Sequence, residues 1–306
     1  MIDFRYHIVS IVAIFMALAV GIVLGSGPLK DDISGFLEDR TEQLAQEKVQ
    51  LQNDVSELRS DLAANEEFAA IAQPVLIDGL LTGRVVTIVV LPGADGGQVD
   101  EVEDAVSTAG GAIGERVSIE PAWLDPDQST ILNRVADSLS RGGRDEDTYD
   151  LAGQVLAEAL LTPGGRLVGE PTTDDAVAVL AAFESEGFIA ADEDEVTRGD
   201  TAIVIGPPGV VPEADIALVP LLAALDDVGA GTVLAAPKGS DSSEGVIGVL
   251  RSSRADGVVS SVDIVDTVTG VTVTITALAE QAAGGVGHYG TGEGSDGPAP
   301  DPLPRG

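Results

Sequence analysis

The chain is 306 residues long and 44% apolar, which is enough for a substantial core and too much for a protein that is disordered throughout. Its 16 Lys and Arg stand against 51 Asp and Glu, a net charge of −35, so a phosphate backbone would be repelled over most of the surface and a nucleic-acid binder is excluded. Cysteine is absent and there are only two His and two Met, which rules out disulfides and leaves the inventory of soft metal donors almost empty.

The first element is apolar. From Ile8 to Leu24 the chain carries 17 residues without a charge, flanked by Arg5 and His7 before it and by Lys30, Asp31 and Asp32 after it. With Ser26 and Gly27 counted, the uncharged run is long enough to cross about 30 Å of hydrocarbon, so a transmembrane signal-anchor helix is predicted over 8–27. Arg5 and the terminal amine before the span, against the acidic chain after it, place 1–7 in the cytoplasm and the bulk of the protein outside, in a single-pass topology. The competing reading is a cleaved signal peptide, because Ala17-Leu18-Ala19 has the small-x-small form; the apolar run, however, continues to Leu24 behind a single Arg. Ala13, Ala17, Gly21 and Gly25 recur every four residues, a stripe that lets two helix backbones approach closely and predicts a dimer contact in the membrane.

A stalk is predicted next, over 33–73. Leu37, Leu44, Leu51 and Leu58 recur at intervals of seven; taken as d positions, they put Ser34, Thr41, Lys48, Val55 and Leu62 at a, polar first and apolar towards the end. Asp54 and Arg59 then form an attractive g-to-e pair in a parallel arrangement, and neither Pro nor Gly interrupts 36–73. The spacing predicts a parallel coiled-coil homodimer with Leu37, Leu44, Leu51, Val55, Leu58 and Leu62 in its seam. A surface helix packed on its own domain is the bland alternative.

Beyond Pro74 the pattern turns to short Val/Ile runs between helical stretches. Strands are predicted at 84–91, 113–119, 201–205, 232–235 and 258–264, and helices from Gln98 towards Gly110 and at 129–140, 151–161, 174–185, 213–227 and 244–253. Near-continuous apolar strands alternating with helices indicate an α/β layered domain with a largely parallel sheet over 80–289. VTVTITALAEQA (Val271–Ala282) has a strand's composition and a helix's ending; helix is the reading taken. From 290 to 306 the Gly/Pro/Asp composition predicts a disordered tail.

Chemical motifs are few. LPGADGGQ after the first strand has Gly93, Gly96 and Gly97 but neither phosphate-binding spacing, and the acids that follow it (Asp100, Glu101, Glu103, Asp104) oppose phosphate. GPPG (Gly206–Gly209) and TPGG (Thr162–Gly165) read as turns. DEDE (Asp192–Glu195) is a charge run, at most a loose site for a hard cation. His7 lies at the membrane edge and His288 beside the tail, so no base is expected next to a Ser within the α/β region and no catalytic residue is assigned. His288 and Tyr289, set between glycines in GHYG, are the candidate partner or metal site, with packing of the chain end as the alternative.

The N-terminal RYHIVSIVAIFMALAVGIVLGS (Arg5–Ser26), the leucine repeat and the C-terminal ALAEQAAGGVGHYG (Ala277–Gly290) together resemble the MctB family of actinobacterial copper transport proteins. The resemblance implies an envelope protein with one N-terminal hydrophobic helix, assigned to copper homeostasis and described as channel-forming or outer-membrane, with links to cell separation through a membrane partner. No cofactor is expected from the residues, and copper enters through the resemblance alone. The resulting expectation is a non-enzymatic envelope protein, a homodimer in contact with the bilayer through 8–27 and with a further envelope or membrane protein. The alternative is a dimeric scaffold that regulates such a partner without handling copper.

Overall fold

A computed structural model of the chain describes residues 4–25, 29–140, 147–162, 174–191 and 197–301, without the side chains of 29–39 and 174. The DEDE run, most of TPGG and the last five residues lie outside the described residues. The chain divides into two compact units, 1–65 and 66–306.

The first unit is helical. α1 (Phe4–Gly25) covers 22 residues, none of them buried, and is the one helix among the described residues long and apolar enough to cross a membrane. α2 (Leu29–Ile77) starts a turn before the predicted stalk and runs on into the second unit, through Pro74, where the sequence predicts a stop. Proline removes one N–H and crowds the carbonyl four residues back. The helix goes only three residues beyond it, and its last residue, Ile77, is fully buried.

In the second unit, α2 is tied down by side chains. Glu66 accepts from the Val268 N–H at 3.0 Å, and Gln73 donates to Thr272 Oγ1 at 3.2 Å. The elements that follow are β1 (Val85–Val90), α3 (Gly96–Thr108), β2 (Ala112–Ile119), α4 (Ser129–Leu139), α5 (Thr148–Leu160), α6 (Asp174–Ser185), β3 (Ile189–Ala191), β4 (Thr201–Ile205), α7 (Ala214–Ala217), α8 (Val219–Val228), β5 (Thr232–Ala235), α9 (Val246–Arg251), β6 (Ser260–Val262), α10 (Val268–Ala282) and β7 (His288–Tyr289). The sheet order is β3-β2-β1-β4-β5-β6-β7; every pair is parallel except β2 with β3. This is the doubly wound order, with a topological switch point between β1 and β4.

Both sheet faces are covered, which is why the strands read as unbroken apolar runs. Val89, Val204 and Leu234 pack with Trp123, Leu156 and Leu221 on one face; Ile88, Ile203 and Val233 pack with Val102, Ile275 and Leu278 on the other. Trp123 Nε1 donates to the Ala217 carbonyl at 3.1 Å, so its burial leaves no orphan donor.

α10 resolves the ambiguous VTVTIT stretch as helix. Thr267 caps it by accepting from the Gly270 N–H, and Thr272, Thr274 and Thr276 return their hydroxyls to carbonyls three or four residues back. That local bonding lets β-branched, polar residues lie buried in a helix.

The disordered tail expected from Gly290 is not what the described part of it does. Gly290 donates to the Gly297 carbonyl at 3.0 Å, and the Thr291 and Gly292 N–H groups bond to the Asp263 carboxylate at 2.8 and 3.1 Å. Residues 290–301 hold on through backbone groups satisfied by acids of the domain, which a composition argument about apolar burial does not register.

Candidate functional site

The switch point is where a doubly wound sheet ordinarily takes a ligand. Here the loops after β1 and β4 lie against each other. Gly93 has φ +84 and lies so close to the loop after β4 that a Cβ built on it would meet Pro207 Cβ at 3.4 Å. Asp95 caps α3, accepting from the Gln98 N–H at 3.2 Å, so a carboxylate already sits at the helix N-terminus a phosphate would need. The LPGADGGQ turn thus joins strand to helix and offers no cradle.

The GHYG site is more elaborate than its sequence shows. β7 sets His288 and Tyr289 beside Ser261 and Val262 of β6, both 8% exposed or less. His288 Nδ1 lies 2.8 Å from Ser261 Oγ, while Nε2 lies 3.0 Å from the Asp256 carbonyl and 3.1 Å from its Oδ1. Both groups at Nε2 are acceptors, so the neutral ring carries its proton there and accepts from Ser261 through Nδ1. Arg251 Nε in turn donates to Ser261 Oγ at 3.0 Å, and its Nη1 pairs with Asp263 at 2.9 Å. The Tyr289 hydroxyl donates to Glu280, and burial, followed by that bond, pushes its pKa well above the usual phenol range.

Sequence reasoning therefore needs correction on one point: a His does reach a Ser within the α/β domain. Residues 261 and 288 are 27 apart, and only the parallel pairing of β6 with β7 brings them together. The trio Ser261, His288 and Asp256 sets an acid and a Ser on opposite ring nitrogens but lacks the accessible nucleophile that such chemistry needs. Ser261 is fully buried and its oxygen already accepts from a guanidinium. What the cluster does is join α9, β6, the turn at Asp256 and the chain end.

The predicted dimer residues are placed as follows. Ala13, Ala17, Gly21 and Gly25 all lie on α1, and nothing in the single chain comes within 4 Å of a Cβ built on Gly21 or Gly25. On α2, Leu44, Leu51, Val55, Leu58 and Leu62 are between 44% and 67% exposed. Leu37 lies in the helix, but its side chain is outside the described ones.

The donor set does not suit soft copper chemistry. Among the described residues no group of three or more His, Cys, Asp and Glu is placed to hold a metal ion. Met16, like the rest of α1, is exposed, and both nitrogens of His288 are engaged. Thiolate, thioether and free imidazole, the groups that favour copper, are not gathered anywhere in the second unit.

Comparison with known proteins points to one family over nearly the whole chain. The profile of the family described as copper transport outer membrane protein, MctB, matches residues 1–300. The proteins named copper transporter MctB of Mycobacterium bovis and Mycobacterium tuberculosis are 31% identical over 310 residues, covering 96% of this chain and 98% of theirs. The Mycobacterium leprae protein of that name is 30% identical with the same coverage. A single apolar N-terminal helix, an α/β domain built on a mostly parallel sheet, and an alignment that runs from end to end lead to one conclusion: this chain belongs to the MctB family.

Proposed function

We propose that the chain is a membrane-anchored, non-enzymatic envelope protein of copper homeostasis that works as a parallel homodimer. Copper homeostasis comes from the family, whose mycobacterial members are named copper transporters. The observation that carries the dimer is the exposure of the apolar ridge Leu44, Leu51, Val55, Leu58 and Leu62 along α2. Each such side chain gains about 1.5–3 kcal/mol when buried, so a second copy of the ridge is a strong partner. α1 is the anchor, and the stripe Ala13, Ala17, Gly21 and Gly25 is the place where two anchors meet. The test is chemical cross-linking of the full chain in lipid vesicles. Gly21→Leu with Gly25→Leu is expected to loosen the membrane contact, and Leu51→Lys with Leu58→Lys to abolish the dimer. An undiminished dimer in the second variant overturns the reading.

The donor inventory favours a second reading, in which the protein acts on a cell-envelope or cell-separation partner and does not itself hold copper. Closely apposed single helices, moreover, leave no lumen for a channel. Titrating the full chain in detergent with copper(I), under a competing chelator, separates the two. Binding no tighter than that of free carboxylates supports the scaffold; a tight stoichiometric site lost on Met16→Leu or His7→Ala supports direct handling.

A further inference from the structure

The carboxyl edge of the sheet has a groove that none of the readings above uses. It lies where the loop after β4 meets the loop before α9, has a volume of about 620 Å³, and is lined by Val210, Val211 and Val249 with Glu213, Asp215 and Glu244 at its rim. The two loops are joined by an antiparallel bridge between Val210 and Gly245 and by a bond from the Val211 N–H to the Glu244 carbonyl at 3.1 Å. Its two walls, both loops, are therefore tied to each other. Val210 is 58% exposed, so the apolar wall open to solvent is carried chiefly by Val210, with Val211 6% exposed beneath it and Ile216, 50% exposed, nearby in sequence.

Glu213 stands out at the rim. It is the single non-glycine residue with positive φ among the described residues, at φ 58 and ψ 15, where an L side chain is strained. Its side chain makes no capping bond to α7, and it is one of the residues that line the groove. No Lys or Arg lines the groove.

We propose that this groove docks an extended, cationic segment of a partner protein, with an aliphatic side chain against Val210 and Val211 and Lys or Arg residues facing Glu213, Asp215 and Glu244. The three carboxylates select against the other occupants: the strongly acidic surface of a second copy matches them poorly, and a lipid or nucleotide would present phosphate to them. This deepens the scaffold reading by giving the partner a chemistry, and its failure would leave the cross-linking and copper tests unaffected.

The test uses the full chain in detergent micelles and three capped hexapeptides: Lys-Arg-Leu-Val-Lys-Arg, the same with Gly-Gly at its centre, and Glu-Glu-Leu-Val-Glu-Glu. The first is expected to bind and to shift the amide resonances of 210–215 and 243–249, with the glycine peptide weaker by about tenfold and the acidic one not binding. Glu213→Gln combined with Glu244→Gln is expected to weaken the first peptide about fivefold, and Val210→Ser to remove the preference for Leu-Val over Gly-Gly. Equal binding of the first two peptides, or shifts spread evenly over the acidic surface, would show attraction to net charge alone and overturn the proposal. So would unchanged affinity in the double variant.

Discussion

Replacing Arg251 by Met tests what holds the chain end on the domain. The Arg251 side chain is 6% exposed and Asp263 1%, and the two pair at 2.9 Å. Arg251 also donates to Ser261 Oγ at 3.0 Å, to the Glu293 carbonyl at 2.9 Å and to the Tyr289 carbonyl at 3.3 Å. Methionine fills a similar volume but leaves the Asp263 carboxylate buried with only the N–H groups of Thr291 and Gly292 to stabilise it. Removing one partner of a buried pair costs about 3–5 kcal/mol, a large part of the 5–15 kcal/mol that a domain commonly has. With a urea slope near 2–3 kcal/mol/M, the unfolding midpoint of the full chain should fall by about 1–2 M. Amide hydrogen exchange should accelerate first at Thr291 and Gly292. Asp263→Asn retains an acceptor for one of those N–H groups and leaves the guanidinium with its carbonyls, so it should cost less. A midpoint within about 0.3 M of the parent, or a chain end whose exchange is unchanged, would refute the view that this pair secures residues 290–301.

Three other outcomes follow from the packing. His288→Ala deletes the bridge between Ser261 and Asp256 and should lower stability by about 1–3 kcal/mol in thermal or urea unfolding, leaving Ser261 without its acceptor; a null effect would return His288 to the surface role its sequence position suggests. Gly270→Ala puts a methyl 1.7 Å from the Ile264 carbonyl oxygen, so α10 must shift, and the variant should lose several kcal/mol or fail to accumulate as folded protein. Asp226 has its carboxyl pushed up to about 6 by burial, opposed by the Thr232 N–H it accepts and reinforced by Asp227. Because the folded value lies above the unfolded one, the folded state holds the extra proton, and stability falls as pH rises from about 4 to about 6. Asp226→Asn should remove that fall and be more stable than the parent at pH 7 by about 1 kcal/mol, discounted for partial exposure; an unchanged slope between pH 4 and pH 6 would count against the assignment.

Much of the secondary structure was legible because local rules agree with the global fold. The strands at 201–205 and 232–235 coincide with their apolar runs, and the helix at 174–185 with its periodicity. Differences arise where a residue's partner is distant in sequence. The predicted helix over 213–227 is divided at Leu218, ahead of Pro220, into α7 and α8. β3 is three residues, Ile-Ala-Ala, and its pairing, antiparallel to β2, joins residues about 70 apart in sequence. β7 is two residues long and carries no strand signal at all. Strand order was not legible either, since parallel pairing is set by crossovers and not by any one segment.

The sharpest contrast concerns charge. Read as composition, 51 acids describe a solvated surface and a repelled phosphate. In the fold, a few of them do the opposite of solvating. Asp263 and Asp241 accept backbone N–H groups of the chain end, Asp296 accepts from the His288 N–H at 2.9 Å, and Asp200 accepts from Val85 N–H at 3.0 Å. Each meets a backbone donor that the local ladder does not, and each is placed by contacts at least eight residues apart in sequence. This is why the segment after Gly290, too poor in apolar residues to fold by burial, is held nonetheless. It is also why a cluster containing Ser, His and Asp serves as a joint: Asp263 and Asp296 are committed to backbone and guanidinium partners and Asp256 to His288, and a metal or substrate would have to displace them. The surface carboxylates without such partners, at the rim of the Val210 groove above all, are the ones left to meet something from outside.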